Sequence, residues 1–158
     1  MRVGTGFDLH RTGGEGPLIL GGVEIPGASG LVGHSDADCV LHALADALLG
    51  AAGLGDIGEH FPDDDPKYAG ADSAGLLEVV RTRVAGAGFS VVNVDCTILA
   101  ERPRLSPHRD AMRERIAAIL GLGVDAVGVK MTTFEGLGAI GRGEAIACQA
   151  VCLIEDAS

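Results

Sequence analysis

Apolar residues recur along this chain with two different periods, and the switches between them mark out its elements. Residues 3–10 alternate in the two-residue repeat of a strand. Residues 18–25 repeat it on both sides of Gly21-Gly22, a pair able to take the positive φ angles of a tight hairpin turn, which Pro26 is expected to close. Ser35-Asp36-Ala37-Asp38 has the form of a capping box, with Ser35 as N-cap and Asp38 at the third helical position, and predicts a helix running to about Gly50. Val40, Leu41, Leu44 and Leu48 form its apolar stripe, while Asp38, His42 and Asp46 recur every four residues on another face.

Residues 50–65 are glycine-rich and then acidic, which predicts a long surface loop of the kind that often carries function. A second helix is expected over residues 73–87, with Leu76, Leu77, Val80 and Val84 inward and Gly88 past its end. Over residues 90–100, Val92, Val94, Cys96 and Ile98 alternate with Asn93, Asp95 and Thr97, the pattern of a half-buried strand. Ser106 as N-cap with Pro107 in the first turn starts a helix that carries Met112, Ile116 and Ile119 and stops at Gly121. Residues 127–133 predict a strand, 134–143 a glycine-rich loop, and 145–154 a nearly continuous apolar strand buried on both sides. Strands and helices intermix without a linker or repeat, so the expected architecture is a single α+β domain over residues 1–158, with helices packed on one face of a mixed β-sheet.

Composition changes this picture in three ways. Only 3% of the chain is aromatic against 47% hydrophobic, so the core must be Val, Ile, Leu and Ala packed on closely approaching backbone. A mean hydropathy of +0.30 is high for one small domain and predicts apolar surface covered by other subunits. The net charge of −10, with no basic run, argues against long nucleic acids or anionic membranes as partners. With no basic leader and no apolar run of membrane-spanning length, the expected location is the cytoplasm. Cys39, Cys96, Cys148 and Cys152 lack metal-site spacing and are expected to be buried free thiols.

The candidate chemistry centres on Asp8, His10 and His42. Residues two apart on a strand share a face, so Asp8 and His10 point the same way while Leu9 turns into the core, and His42 answers from a helix. One carboxylate and two imidazoles with no fourth ligand describe an open zinc site of the catalytic kind. Asp38 or Asp46 could accept the second ring N–H of His42. His34-Ser35 could meet an anion at the start of the same helix, or Ser35 could simply cap it. Thr132, Thr133 and Glu135, just after Lys130, offer hydroxyl donors and a carboxylate able to hold Mg²⁺ through phosphate oxygens. Gly4-Thr5-Gly6 lacks the third glycine and the following helix of a dinucleotide fingerprint, and neither a P-loop nor a nucleophile elbow is present. Asp63-Asp64-Asp65 lacks EF-hand spacing, and His60 and His108 stand without evident partners.

Taken together, four motifs resemble the 2-C-methyl-D-erythritol 2,4-cyclodiphosphate synthase family over essentially the whole chain. They are Gly6-Phe7-Asp8-Leu9-His10; His34-Ser35-Asp36-Ala37-Asp38 with His42; Gly55-Asp56-Ile57-Gly58 leading to Phe61-Pro62-Asp63; and Thr132-Thr133-Phe134-Glu135. The resemblance implies a CMP-forming phosphorus–oxygen lyase of the non-mevalonate isoprenoid route, built as a homotrimer with active sites between neighbours. It implies zinc on Asp8, His10 and His42, catalytic roles for His34 and Thr133, and phosphate contacts from His34 and Ser35. Asp56, Ile57 and Gly58 would meet sugar or erythritol hydroxyls, and Phe61, Pro62, Asp63, Asp64 and Asp65 would form a lid-like segment. Ala100, Glu101, Arg102, Pro103, Arg104, Leu105 and Ser106 would surround the cytosine. Thr132, Thr133, Phe134 and Glu135 would lie near the diphosphate, with Glu135 holding Mg²⁺ or Mn²⁺ and Ala139 and Arg142 nearby. Phe7, Arg142 and Glu144 would line a threefold channel that accepts isoprenoid diphosphates. Because the substrate's own phosphate attacks, the reaction needs no enzyme nucleophile, consistent with the lack of any triad. A zinc-dependent nucleotide phosphohydrolase and a non-catalytic trimeric isoprenoid-diphosphate-binding protein are the competing readings.

Overall fold

The computed structural model describes residues 1–62 and 70–157. Its strands are β1 (Arg2–Leu20), β2 (Val23–Leu31), β3 (Phe89–Leu99), β4 (Val127–Thr132) and β5 (Ala145–Asp156). Its helices are α1 (Cys39–Ala52), α2 (Ile57–His60), α3 (Ser73–Gly86), α4 (Arg109–Leu120) and α5 (Gly138–Gly141). The strands form one sheet in the order β2-β1-β5-β3-β4, with β3 and β4 parallel and the other neighbours antiparallel. This is the expected α+β class with a mixed sheet. No helix among the described residues is long and apolar enough to cross a membrane.

Helix α1 is the centre of the core and is apolar almost all round, with Val40, Leu41, Leu44, Leu48 and Leu49 all buried. It can lie directly on β1 because Gly4 and Gly6 face it: a Cβ on either would stand 2.0 Å from the carbonyl oxygen of Ala47 or Ala43. Asp8 and His10 continue the same strand face beyond the glycines, which brings them to the first turn of α1, where His42 sits. The thrift of side chain at Gly4 and Gly6 is therefore what lets strand and helix ligands meet.

Several boundaries differ from expectation. The hairpin turn falls at Gly21 and Gly22, with φ of 60° and 72°, but β1 runs unbroken to it from Arg2. Pro26 does not end β2, which is an edge strand, where a missing N–H costs no ladder bond. Helix α1 starts later than predicted, with Asp38 rather than Ser35 as N-cap. Asp38 accepts from the N–H groups of Val40 and Leu41 at 3.1 Å and also from Gly21 and Gly22 at 2.9 and 2.6 Å, so one buried carboxylate ties the hairpin to the helix. Burial pushes that carboxyl up to about 6, against the lowering pull of the N–H groups of Gly22, Gly21 and Leu41. The predicted loop over 50–65 contains α2 behind its cap Asp56, and Asp63, Asp64 and Asp65 lie outside the described residues. Ser106 opens a 3₁₀ turn that leads into α4 and makes no side-chain cap bond there.

The helices cover one face of the sheet only. Leu9 is 48% exposed on the other face rather than in the core, because the pleat that turns Asp8 and His10 toward α1 turns Phe7 and Leu9 away. Val3, Phe7, Leu9 and Val151 all lie exposed there, so β5 is not buried on both sides in the single chain. Cys39, Cys96, Cys148 and Cys152 are buried free thiols, as expected.

Candidate metal centre and its flanking cavities

Asp8, His10 and His42 converge as predicted: one ligand atom from each lies within 4.8 Å of the others. Asp8 Oδ2 stands 2.9 Å from His10 Nδ1 and 3.1 Å from His42 Nδ1. The His10 nitrogen is buried yet not aligned to form a hydrogen bond, an orphaned polar atom that a cation at this centre would satisfy. Burial alone would raise the Asp8 carboxyl, but the His10 and His42 imidazoles hold it well below the usual carboxylate range. Burial also works against a charged His42 ring, and Asp8 nonetheless raises it above the ordinary histidine value. One oxygen and two nitrogen donors fit a divalent ion such as Zn²⁺ with an open position.

The triad opens into a cavity of about 480 Å³, lined also by His34, Ser35, Ile57, Gly58, Phe61 and Leu76. Five of the expected contacts, His34, Ser35, Ile57, Gly58 and Phe61, are thus brought together, with Asp56 just outside as the cap of α2, accepting from Glu59 N at 2.9 Å. Asp38 accepts from the N–H groups of Val40 and Leu41 at the α1 terminus, which leaves the His34 and Ser35 side chains as the polar groups lining the cavity there. Ser35 accepts from Ala37 N at 3.1 Å and lies 3.3 Å from His42 Nε2.

Neither Asp38 nor Asp46 supports the His42 ring. Asp38 is taken by the four N–H groups named above, and Asp46 accepts from Ile57 N at 2.8 Å. The partner of His42 Nε2 is Ser73, at 2.9 Å, which in turn donates to Asp36. Sequence reading missed Ser73 because it stands one residue inside a helix capped by Asp72, where no spacing rule singles it out. His60 also has partners: its Nε2 donates to the Leu54 carbonyl at 2.6 Å, and Arg83 contacts its Nδ1.

A second cavity, of about 290 Å³, is lined by Ala100, Glu101, Pro103, Arg104, Leu105, Ser106, Met131, Thr132 and Thr133. Thr133 donates to Glu135 at 3.1 Å, and Phe134 N donates to Glu101 at 3.2 Å, which keeps the strand end beside this cavity. Arg102 donates to the Arg142 carbonyl at 3.2 Å, and Arg142 forms a forked pair with Glu144. The two cavities share no lining residue, and within one chain Glu135 is not part of the triad's cavity.

The chain's fold superposes on a 2C-methyl-D-erythritol-2,4-cyclodiphosphate synthase solved in a CDP-bound form, with a TM-score of 0.90, 38% identity, and 98% of this chain and 100% of that one covered. It also superposes on IspF of Plasmodium falciparum, solved as a CDP complex, with a TM-score of 0.87 and 32% identity over 99% of this chain and 97% of that one. Fold and metal centre together define the class of cyclodiphosphate synthase folds. A 2-C-methyl-D-erythritol 2,4-cyclodiphosphate synthase of Chromobacterium violaceum is 59% identical over 157 residues, covering 99% of each chain. The YgbB family model matches residues 1–155, and the chain belongs to that family.

Proposed function

We propose that this chain converts 4-diphosphocytidyl-2-C-methyl-D-erythritol 2-phosphate into 2-C-methyl-D-erythritol 2,4-cyclodiphosphate and CMP, in the cytoplasm, for isoprenoid precursor synthesis. An oxygen of the 2-phosphate bonds to the β-phosphorus, the bond from that phosphorus to the bridging oxygen breaks, and the electron pair leaves on CMP. The observation that carries this reading is the Asp8, His10 and His42 triad opening into a cavity beside His34 and Ser35, in a chain whose relatives bear the synthase name.

Asp8, His10 and His42 would hold Zn²⁺ and Glu135 would hold Mg²⁺ or Mn²⁺; when bound, such ions offset the repulsion between two phosphates forced together. His34 and Ser35 donate to the attacking phosphate, Asp56 to Gly58 and Phe61 shape the wall for the erythritol part, and Thr132 and Thr133 donate to the diphosphate. Backbone and side chains from Ala100 to Ser106 receive the cytosine. Alignment of the two phosphates supplies much of the rate, since an intramolecular attack gains from orientation rather than from a protein nucleophile.

A site shared between subunits, in which the triad of one meets the nucleotide cavity of the next, is supported by the separation of the two cavities. The bare sheet face with Val3, Phe7, Leu9 and Val151 supplies the apolar contact, and we assign it to the centre of a homotrimer. Incubation with the cytidine substrate and Mg²⁺, followed by ³¹P NMR, should show a cyclic diphosphate forming in step with CMP. CMP with a linear product would indicate water attack and a phosphohydrolase; zinc binding without any turnover would indicate a binding protein.

A further inference from the structure

We propose that Ser73 and Asp36 form a positioning relay that fixes the His42 imidazole for its metal, an inference that rests on the metal centre assigned above. Asp36 can only accept, and it takes the Ser73 hydroxyl on Oδ1 and the Ser73 backbone N–H on Oδ2 at 3.1 Å. The serine proton is therefore committed, and the Ser73 oxygen presents a lone pair to His42 Nε2 at 2.9 Å. That nitrogen must carry the hydrogen. In the neutral ring that a metal requires, the lone pair of Nδ1 then faces Asp8 Oδ2, 3.1 Å away. A divalent ion held by both of these acceptors would offset the repulsion between them.

Ser73 has no local task that would explain its hydroxyl. It is 1% exposed, it follows the true cap of α3, and Asp72 already accepts from Ala74 N at 3.0 Å. The Ser35 hydroxyl, at 3.3 Å from the same His42 nitrogen, is a longer second acceptor, and Asp36 also takes Asp38 N at 3.2 Å. The relay thus joins the turn before α1, the start of α3 and the metal ligand on α1. Partners of this kind fix the tautomer and ring orientation of a ligating histidine.

The test is Zn²⁺ affinity of the full-length protein, measured with zinc alone by competition against a chelator. Ser73→Ala should weaken binding about 10–100-fold, with activity returning at saturating zinc, and Ser73→Thr, which keeps the hydroxyl, should stay near the parent. Asp72→Ala, which removes only the cap of the same helix, should lower the melting temperature without changing the zinc dissociation constant. If Ser73→Ala does not fold, Asp36→Asn reads the same affinity, since its amide sets a donor against one of the two donors of Ser73. Zinc affinity unchanged in these relay variants, or an equal loss in Asp72→Ala, overturns the relay and leaves the metal centre standing. Absence of zinc binding in the parent protein overturns both.

Discussion

Adding one methyl group at Gly6 should damage stability and metal binding together. The new Cβ would lie 2.0 Å from the Ala43 carbonyl oxygen and 2.8 Å from Ala47 N, both of them helix backbone that cannot rotate aside. Carbon and oxygen rest in contact at about 3.3–3.6 Å, so β1 and α1 would have to part by more than about 1 Å. Overpacking of this kind costs about 1–3 kcal/mol, and the rigidity of both partners puts Gly6→Ala at the upper end. For a chain of this size that is a fall in melting temperature of roughly 6–12 °C. Asp8 and His10 ride on the strand and His42 on the helix, while metal–ligand distances tolerate only about 0.2 Å. Zinc affinity should therefore drop by on the order of 100-fold. Calorimetry with and without Zn²⁺, plus chelator competition, reads both quantities. Gly75→Ala is the control, because nothing lies within 4 Å of its Cβ on α3, and it should stabilise by about 0.5–1 kcal/mol. A Gly6→Ala protein that melts and binds zinc like the parent would refute the close-approach reasoning.

Two other outcomes follow from the same geometry. The Asp38 carboxyl titrates near 3.8 when unfolded and at about 6 when folded, so the folded chain holds an extra proton between those values and loses stability as pH rises through that window. The loss reaches about 3 kcal/mol above pH 6, and denaturant titrations at pH 4 and pH 7 should show it in the parent but not in Asp38→Asn; equal pH slopes would refute it. If each active site joins the triad of one subunit to the nucleotide cavity of the next, His42→Ala and Thr133→Ala should each be nearly inactive alone. Every mixed trimer retains one intact junction, so dissociating the two variants and reassembling them in equal amounts should restore roughly a quarter of full activity, and no recovery would place both halves in one chain.

The metal ligands are legible because they depend on strong local rules: residues 8 and 10 share a strand face, and His42 is the lone imidazole on a helix whose only other charged residue is Asp46. The hairpin was legible for the same reason, since Gly21-Gly22 between apolar runs admits few other structures. What failed were choices that only the third dimension decides. Ser35 and Asp38 are both good caps, and the choice fell to Asp38 because the hairpin turn brought two further N–H groups to its carboxylate. Alternation alone turns Leu9 into the core opposite Asp8 and His10, whereas the glycines at 4 and 6 show which face the helix occupies. Ser73 was invisible because its partners are 31 and 37 residues away along the chain.

The four buried thiols make the molecule its own stopwatch. Cys39 sits on α1, Cys96 on β3, and Cys148 and Cys152 on β5, so they sample the helix and the two strands that frame the core. Burial raises the Cys39 thiol and, to about 11, that of Cys152, which suppresses the reactive thiolate as well as hiding it. An alkylating reagent can reach them only through an opening of the interior, and mass spectrometry of each modified cysteine would time how often each part of the core breathes, with no foreign probe introduced.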